Sequence, residues 1–255
     1  VKTPVIILHR YPFSESSLVV KTLSPLTGVT SFLVKGARRK DSPFRVAFDP
    51  LALSEVVYQP SARRELQMPR EALLVRYHEH MRANLETLAM GQVMAETVLR
   101  LSQAGGHYSE EYDLLASALA ALDGDPCGYR VAETLARFLA ELTDRLGFGL
   151  RLDGCVECKR PLHTPPADLW PALGGGICSE CLGKRRPNWT EEFLQQIFLF
   201  QTSGRIEGPV SRIEHFFLQF LRIHSGHALH LHSMVWLDEL RGIESSSRSS
   251  NENNS

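Results

Sequence analysis

The sequence has little of what a membrane or secreted protein needs. Its longest uncharged, apolar-rich run, Ile223 to Leu237, carries four histidines and falls short of the roughly 20 residues that span a bilayer. No membrane segment is expected. Lys2 precedes Val5, Ile6, Ile7 and Leu8, but His9 and Arg10 end that run too early for a signal-peptide core, so a cytoplasmic address is the expectation. Short catalytic motifs are missing as well. His78-Glu79-His80 lacks the H-E-x-x-H spacing, Gly183-Lys184 has no glycine five positions before Gly183 as a phosphate loop requires, and neither a G-x-S-x-G nor an H-x-E ahead of a P-C-x-x-C exists. There is no excess of one charge either: 28 basic residues face 29 acidic ones. A uniformly basic coat for nucleic acid is thereby excluded.

What is present is a chain of 255 residues, 43% hydrophobic and 22% charged, long enough for two domains or for one with an insert. Its charge is unevenly spread. Residues 1–80 carry a net +5, residues 81–150 a net -5, residues 151–186 +2 and residues 187–255 -3. A basic front and an acidic body predict one face for a polyanion and another for different partners.

Residues 3–10, 17–23, 28–35, 50–58 and 63–68 read as short strands, most of them rich in Val, Ile, Leu, Phe and Thr, with turn formers such as Ser24-Pro25, Thr27-Gly28 and Asp49-Pro50 between them. Five strands in so short a span predict a small closed barrel, with an OB-fold leading and an SH3-like barrel as the alternative. Strand two can alternate, Leu18, Val20 and Thr22 on one face and Val19, Lys21 and Leu23 on the other, which lets Lys21 stand outside. From Pro69 the apolar spacing reads as helical, through Leu73, Leu74, Tyr77, Met81, Leu85 and Leu88. Further helices are expected from Ser109 to about Leu122, from Pro126 to about Leu146, after Asn188 or Thr190, and from about Pro209, the last carrying Ile213, Phe216, Phe217 and Phe220. The predicted fold class is α+β and multidomain: an OB-fold over 1–68, a helical domain over 69–244 with a cysteine-bearing insert at 151–186, and a disordered Ser/Asn-rich tail over 245–255.

Cys155 and Cys158, then Cys178 and Cys181, form two C-x2-C pairs 19 residues apart, within the spacing of a structural zinc site. Each pair puts two thiolates on one turn, and two such turns complete a tetrahedron around a d10 ion. A disulfide is the alternative, which a cytoplasmic chain with this spacing disfavours. Four sulfur ligands leave no position for an activated water, so one zinc ion is expected to staple a small core and not to catalyse. Cys127 is expected to be a lone buried thiol, and the histidines at 224, 227, 230 and 232 to be ordinary helix and loop residues.

Between strands three and four lies Lys35-Gly36-Ala37-Arg38-Arg39-Lys40, followed by Arg45, with Phe44 and Phe48 interleaved. Cations on a barrel loop can pair with backbone phosphates, and the rings offer faces on which bases stack; Arg10 and Lys21 are expected to share that face. The acidic helical body is expected to serve as scaffold and partner surface. A zinc-ribbon RNA-binding or ribosome-associated protein is the alternative.

Tyr11-Pro12-Phe13-Ser14-Glu15-Ser16-Ser17-Leu18, Thr27-Gly28 leading to Val34-Lys35-Gly36-Ala37-Arg38-Arg39, the four-cysteine region with Gly174-Gly175-Gly176, and His232-Ser233 through Leu237 together resemble the RecO family of bacterial recombination mediators. The resemblance implies an N-terminal OB-fold, a helical domain bearing the zinc site, and binding and annealing of single-stranded DNA in the cytoplasm at the nucleoid. It also implies work with RecR and single-strand binding protein to load recombinase, with RecF and duplex DNA as further candidate partners. It carries no enzymatic active site.

Overall fold

Alternation of apolar side chains decides the first 76 residues. In the computed structural model, which describes residues 1–102, 108–124, 130–226 and 229–242, five strands pair in the order β3-β2-β1-β4-β5, every neighbour antiparallel. They are β1 (Lys2–Pro12), β2 (Leu18–Ser24), β3 (Gly28–Val34), β4 (Leu53–Tyr58) and β5 (Pro69–Arg76), with a one-turn helix α1 (Phe44–Ala47) before β4. Val5, Ile6, Ile7 and Leu8 are all buried, as a central strand covered on both faces requires. One face packs Val5, Ile7, Leu18, Val20, Phe32, Val34, Phe48, Val56 and Tyr58 into a core. There the Phe32 ring meets Tyr58 edge-on at 4.9 Å.

At the far edge, β3 also meets the segment before β5. The Leu33 N–H donates to Gln67 O and the Gln67 N–H to Ser31 O, both at 2.8 Å. The Gln67 side chain fixes the preceding turn by accepting from the Ser61 N–H and donating to Ser61 O and Arg64 O.

The fifth strand corrects the sequence reading. It lies at Pro69–Arg76 and not at 63–68, so the stretch from Pro69 is extended and not helical. Ala72 and Leu74 pack against the core, whereas Leu73 and Val75 are exposed on the other face. After β5, helical structure begins with α2 (Glu79–Ala83) and α3 (Leu85–Leu101), where the Asn84 side-chain Oδ1 caps α3 by accepting from the Glu86 and Thr87 N–H groups. The helix α4 (Ser109–Leu122) ends at Asp123 and Gly124, as expected.

Two compact units result, Val1–Val131 with His230–Ser255, and Ala132–Leu229. The second holds α5 (Thr134–Arg145), β6 (Asp168–Trp170), β7 (Gly175–Ile177), α6 (Ser179–Leu182), α7 (Glu191–Ser203) and α8 (Val210–Ser225). Helix α5 starts at Thr134 after a short 3-10 turn; the expected start at Pro126 lies outside the described residues. Thr190, not Asn188, caps α7, because both the Asn188 N–H and its side-chain amide donate to the buried Asp168 carboxylate. Trp189, Phe193, Phe216, Phe217 and Phe220 form a continuous aromatic core, as their spacing predicts. The first unit is completed by α9 (His232–Leu240), which the sequence reading did not foresee. Glu96 on α3 accepts from the His232 and Ser233 N–H groups and from the Ser233 hydroxyl, the last at 2.6 Å. Cys127, His227 and the tail from 245 lie outside the described residues. No described helix is long and apolar enough to cross a membrane.

Candidate nucleic-acid interface and four-cysteine site

The loop after β3 turns sharply at Gly36, whose φ of +71° is one that glycine adopts without strain. Ala37 then tucks into the core while Lys35, Arg38, Arg39, Lys40 and Arg45 stay exposed. Arg38 is anchored: its N–H donates to Ser16 O at 3.1 Å and its guanidinium to Ser14 O at 3.0 Å, which ties the basic loop to the turn between β1 and β2. Neither bond uses an acidic partner, so the positive charge is not neutralised there.

The other members of the expected set stand elsewhere. Arg10 pairs across the sheet with Val20, on the core face, and its guanidinium lies 2.6 Å from Asp49. Lys21 pairs with His9 on the opposite face and donates to the Ser31 hydroxyl at 2.7 Å. Arg10 and Lys21 therefore do not share a face. Lys21 instead borders a cleft of about 780 Å³, lined also by Leu88, Glu96 and Trp236. A second correction concerns the interleaved rings. Phe48 is fully buried, and Phe44 is half-buried against it at 5.9 Å, so both pack against the core. The exposed rings are Phe13 and Tyr11, which the sequence reading used only for family likeness.

In the second unit, the turn Cys155 to Cys158 faces Cys178 and Cys181 at the start of α6. All four sulfur atoms lie within 4.8 Å of one another, with Cys158 Sγ and Cys178 Sγ 3.7 Å apart. Sulfurs at the corners of a zinc tetrahedron, each about 2.3 Å from the ion, stand about 3.8 Å apart, so the four residues fit that ion. Among the described residues no other cluster of His, Cys, Asp or Glu is placed to hold a metal. Val156, Ile177 and Leu182 pack beneath the cluster with Cys155. The β6–β7 hairpin lies so close to the segment before Cys155 that a Cβ on Gly175 would stand 2.2 Å from Arg151 O, which excludes any larger residue.

Local electrostatics favour a thiolate at Cys155. Its burial raises the thiol pKa, but the N–H groups of Cys158, Cys178 and Glu157 more than offset this and bring it down to about 6. Cys181 is pushed up, first by its hydrogen bond to Cys158 and then by desolvation. Nearby cations are largely engaged: Arg160 pairs with Glu180, and Arg185 lies over the Trp170 ring at 4.5 Å with Glu157 3.8 Å away.

Comparison with known proteins agrees in both halves. Residues 1–78 match the family model described as Recombination protein O N terminal, and residues 82–230 match Recombination protein O C terminal. A DNA repair protein RecO of Rhodopirellula baltica is 30% identical over 211 residues, 82% of this chain and 77% of that relative. One from Rubrobacter xylanophilus is 28% identical over 183 residues, 72% of each chain. One from Anaeromyxobacter dehalogenans is 29% identical over 181 residues, 71% of this chain and 70% of the relative.

Proposed function

This chain belongs to the RecO family of DNA repair and recombination proteins, which are not enzymes, and from that premise we propose that it binds single-stranded DNA through the loop after β3 and anneals complementary strands. One observation carries the reading. Lys35, Arg38, Arg39 and Lys40 are exposed on a loop held at Gly36 and Arg38, with Arg45 exposed on α1 just after it, where they can neutralise successive phosphates with little regard to sequence. Annealing then follows from charge screening: two strands drawn to one basic surface repel each other less and find their register. Arg10 and Lys21 are left out of this set, the first because Asp49 already engages it.

The same reading takes the five-stranded sheet as an OB-fold barrel, closed where β3 meets Gln67, and the four cysteines as ligands of one zinc ion that holds the hairpin and α6 together. Its partners are RecR and single-strand binding protein, with RecF and duplex DNA as further candidates, in the bacterial cytoplasm at the nucleoid. The acidic stretch from residue 81 to 150 serves as scaffold and partner surface and not as a DNA site. The deciding experiment is annealing of complementary strands coated with single-strand binding protein, with and without this chain. Acceleration that depends on Arg38, Arg39 and Lys40 supports the reading; equal rates with and without the protein, or tighter binding of structured RNA at matched salt, sink it.

A further inference from the structure

We propose that Phe13, two residues past Tyr11, is a base-stacking subsite that lets the basic loop hold single strands in preference to duplex. A one-residue slip in β1 creates it. Ile7 pairs with Thr22 and His9 with Lys21, so Leu8 is extra, and beyond it His9 and Tyr11 lie on the outer face while Arg10 turns to the core. The His9 and Tyr11 rings stand 6.1 Å apart along that face, and Phe13 follows just past the strand end. Phe13 is 60% exposed and Tyr11 41%.

Two features point to DNA as the occupant. The first is the tie between Arg38 and the turn that follows Phe13: a guanidinium bonded to Ser14 O and an exposed ring one residue earlier in the chain form one fixed junction of cation and π face. Five cations stand on or beside it against two acidic residues, Glu15 and Asp41, so the junction attracts a polyanion. The second is that the rings nearest the loop in sequence, Phe44 and Phe48, pack against the core. Phe13 and Tyr11 are the more exposed rings near those cations. Paired bases in a duplex already stack on one another and present only edges, whereas an unpaired base offers a free face. The inference rests on the reading of the loop as the DNA site, but it assigns selectivity to a different residue.

The test uses the full chain and three probes: an oligothymidylate, an abasic oligomer with the same number of phosphates, and a duplex, each titrated across salt. Phe13→Ala is expected to raise the Kd for oligothymidylate about fivefold to 100-fold, as loss of one stacked base should. The abasic Kd and the salt slope should stay at wild-type values, because stacking releases no counterions. Phe13→Leu, which keeps an apolar side chain without a ring, should lose as much as alanine, and Phe13→Trp should recover it. The proposal is overturned if Phe13→Ala weakens the abasic and thymidylate oligomers equally, or if it leaves thymidylate binding unchanged. In the second case, a flattened salt slope in the Arg38, Arg39 and Lys40 triple alanine variant leaves the loop reading standing. If that variant too is unchanged, both readings fall.

Discussion

Arg10 lies 2.6 Å from Asp49, and the same carboxylate accepts from Arg82 at 3.1 Å and from the Tyr77 hydroxyl at 2.9 Å. Asp49 thus joins β1 to the segment that leads from β5 into α2. Asp49→Ala should destabilise the protein by about 2 kcal/mol, since it strips charge-assisted bonds from a partly buried cluster. Arg10→Ala should lower stability less and leave the salt slope of DNA binding untouched, because that guanidinium is already engaged by Asp49. Denaturant midpoints and salt titrations of the two variants check this.

Replacing Arg38, Arg39 and Lys40 together by alanine should flatten log affinity against log salt by roughly two units on single strands if all three meet phosphates, at about 0.7 per contact. Folding should survive, as these side chains are exposed. Annealing should slow in step with affinity. A folded triple variant with wild-type affinity and slope would remove the loop from the DNA site.

The purified protein should carry one zinc per chain. Cys178→Ser should lose most of it and loosen the β6–β7 hairpin, because metal binding and folding of so small a core are one equilibrium. Metal analysis, and protease cleavage between Arg151 and Arg186, read the two effects. Retained zinc with unchanged protease resistance in the variant would contradict the assignment.

Stability should fall with acidity through His78. Its ring is buried and its Nδ1 lies 3.0 Å from Leu51 O, so Nδ1–H donates to that carbonyl. Burial pushes its pKa below 6.5, with the Leu51 carbonyl pulling the other way. Below pH 6.5 the unfolded chain takes up a proton that the folded chain resists. The stabilisation is therefore complete above about pH 6.5 and is lost as pH drops towards the lowered value. His78→Asn, which tolerates the left-handed backbone at φ +59°, should flatten the urea midpoint over that range.

The hydrophobic pattern was enough to read β1 to β4, the helices from Ser109 and Pro209, and the cysteine cluster, because in each the period or spacing had one solution. Two places did not. In β5 the outward positions Leu73 and Val75 are as apolar as the inward Ala72 and Leu74, so period two left no contrast and a helical spacing fitted as well. In β1 the bulge at Leu8 is invisible in composition. Without it Arg10 would sit opposite Val19 on the outer face beside Lys21, the placement that regular alternation predicts. The same slip hid Phe13 and Tyr11. Sequence placed the aromatics near the cations by number, at Phe44 and Phe48, whereas the fold brings others there through a hydrogen bond from Arg38.

The return of the chain at His230 to finish the first unit has a temporal side. Helix α9 packs on α3, and its backbone is held by Glu96, which is made 136 residues before His232. At a translation rate of about 5–20 residues per second, Glu96 waits roughly 7 to 27 seconds for that partner to be synthesised. The sheet and its basic loop use only residues up to Arg76 and can form early, so a nascent chain can present its cations before the helix that completes the same unit exists.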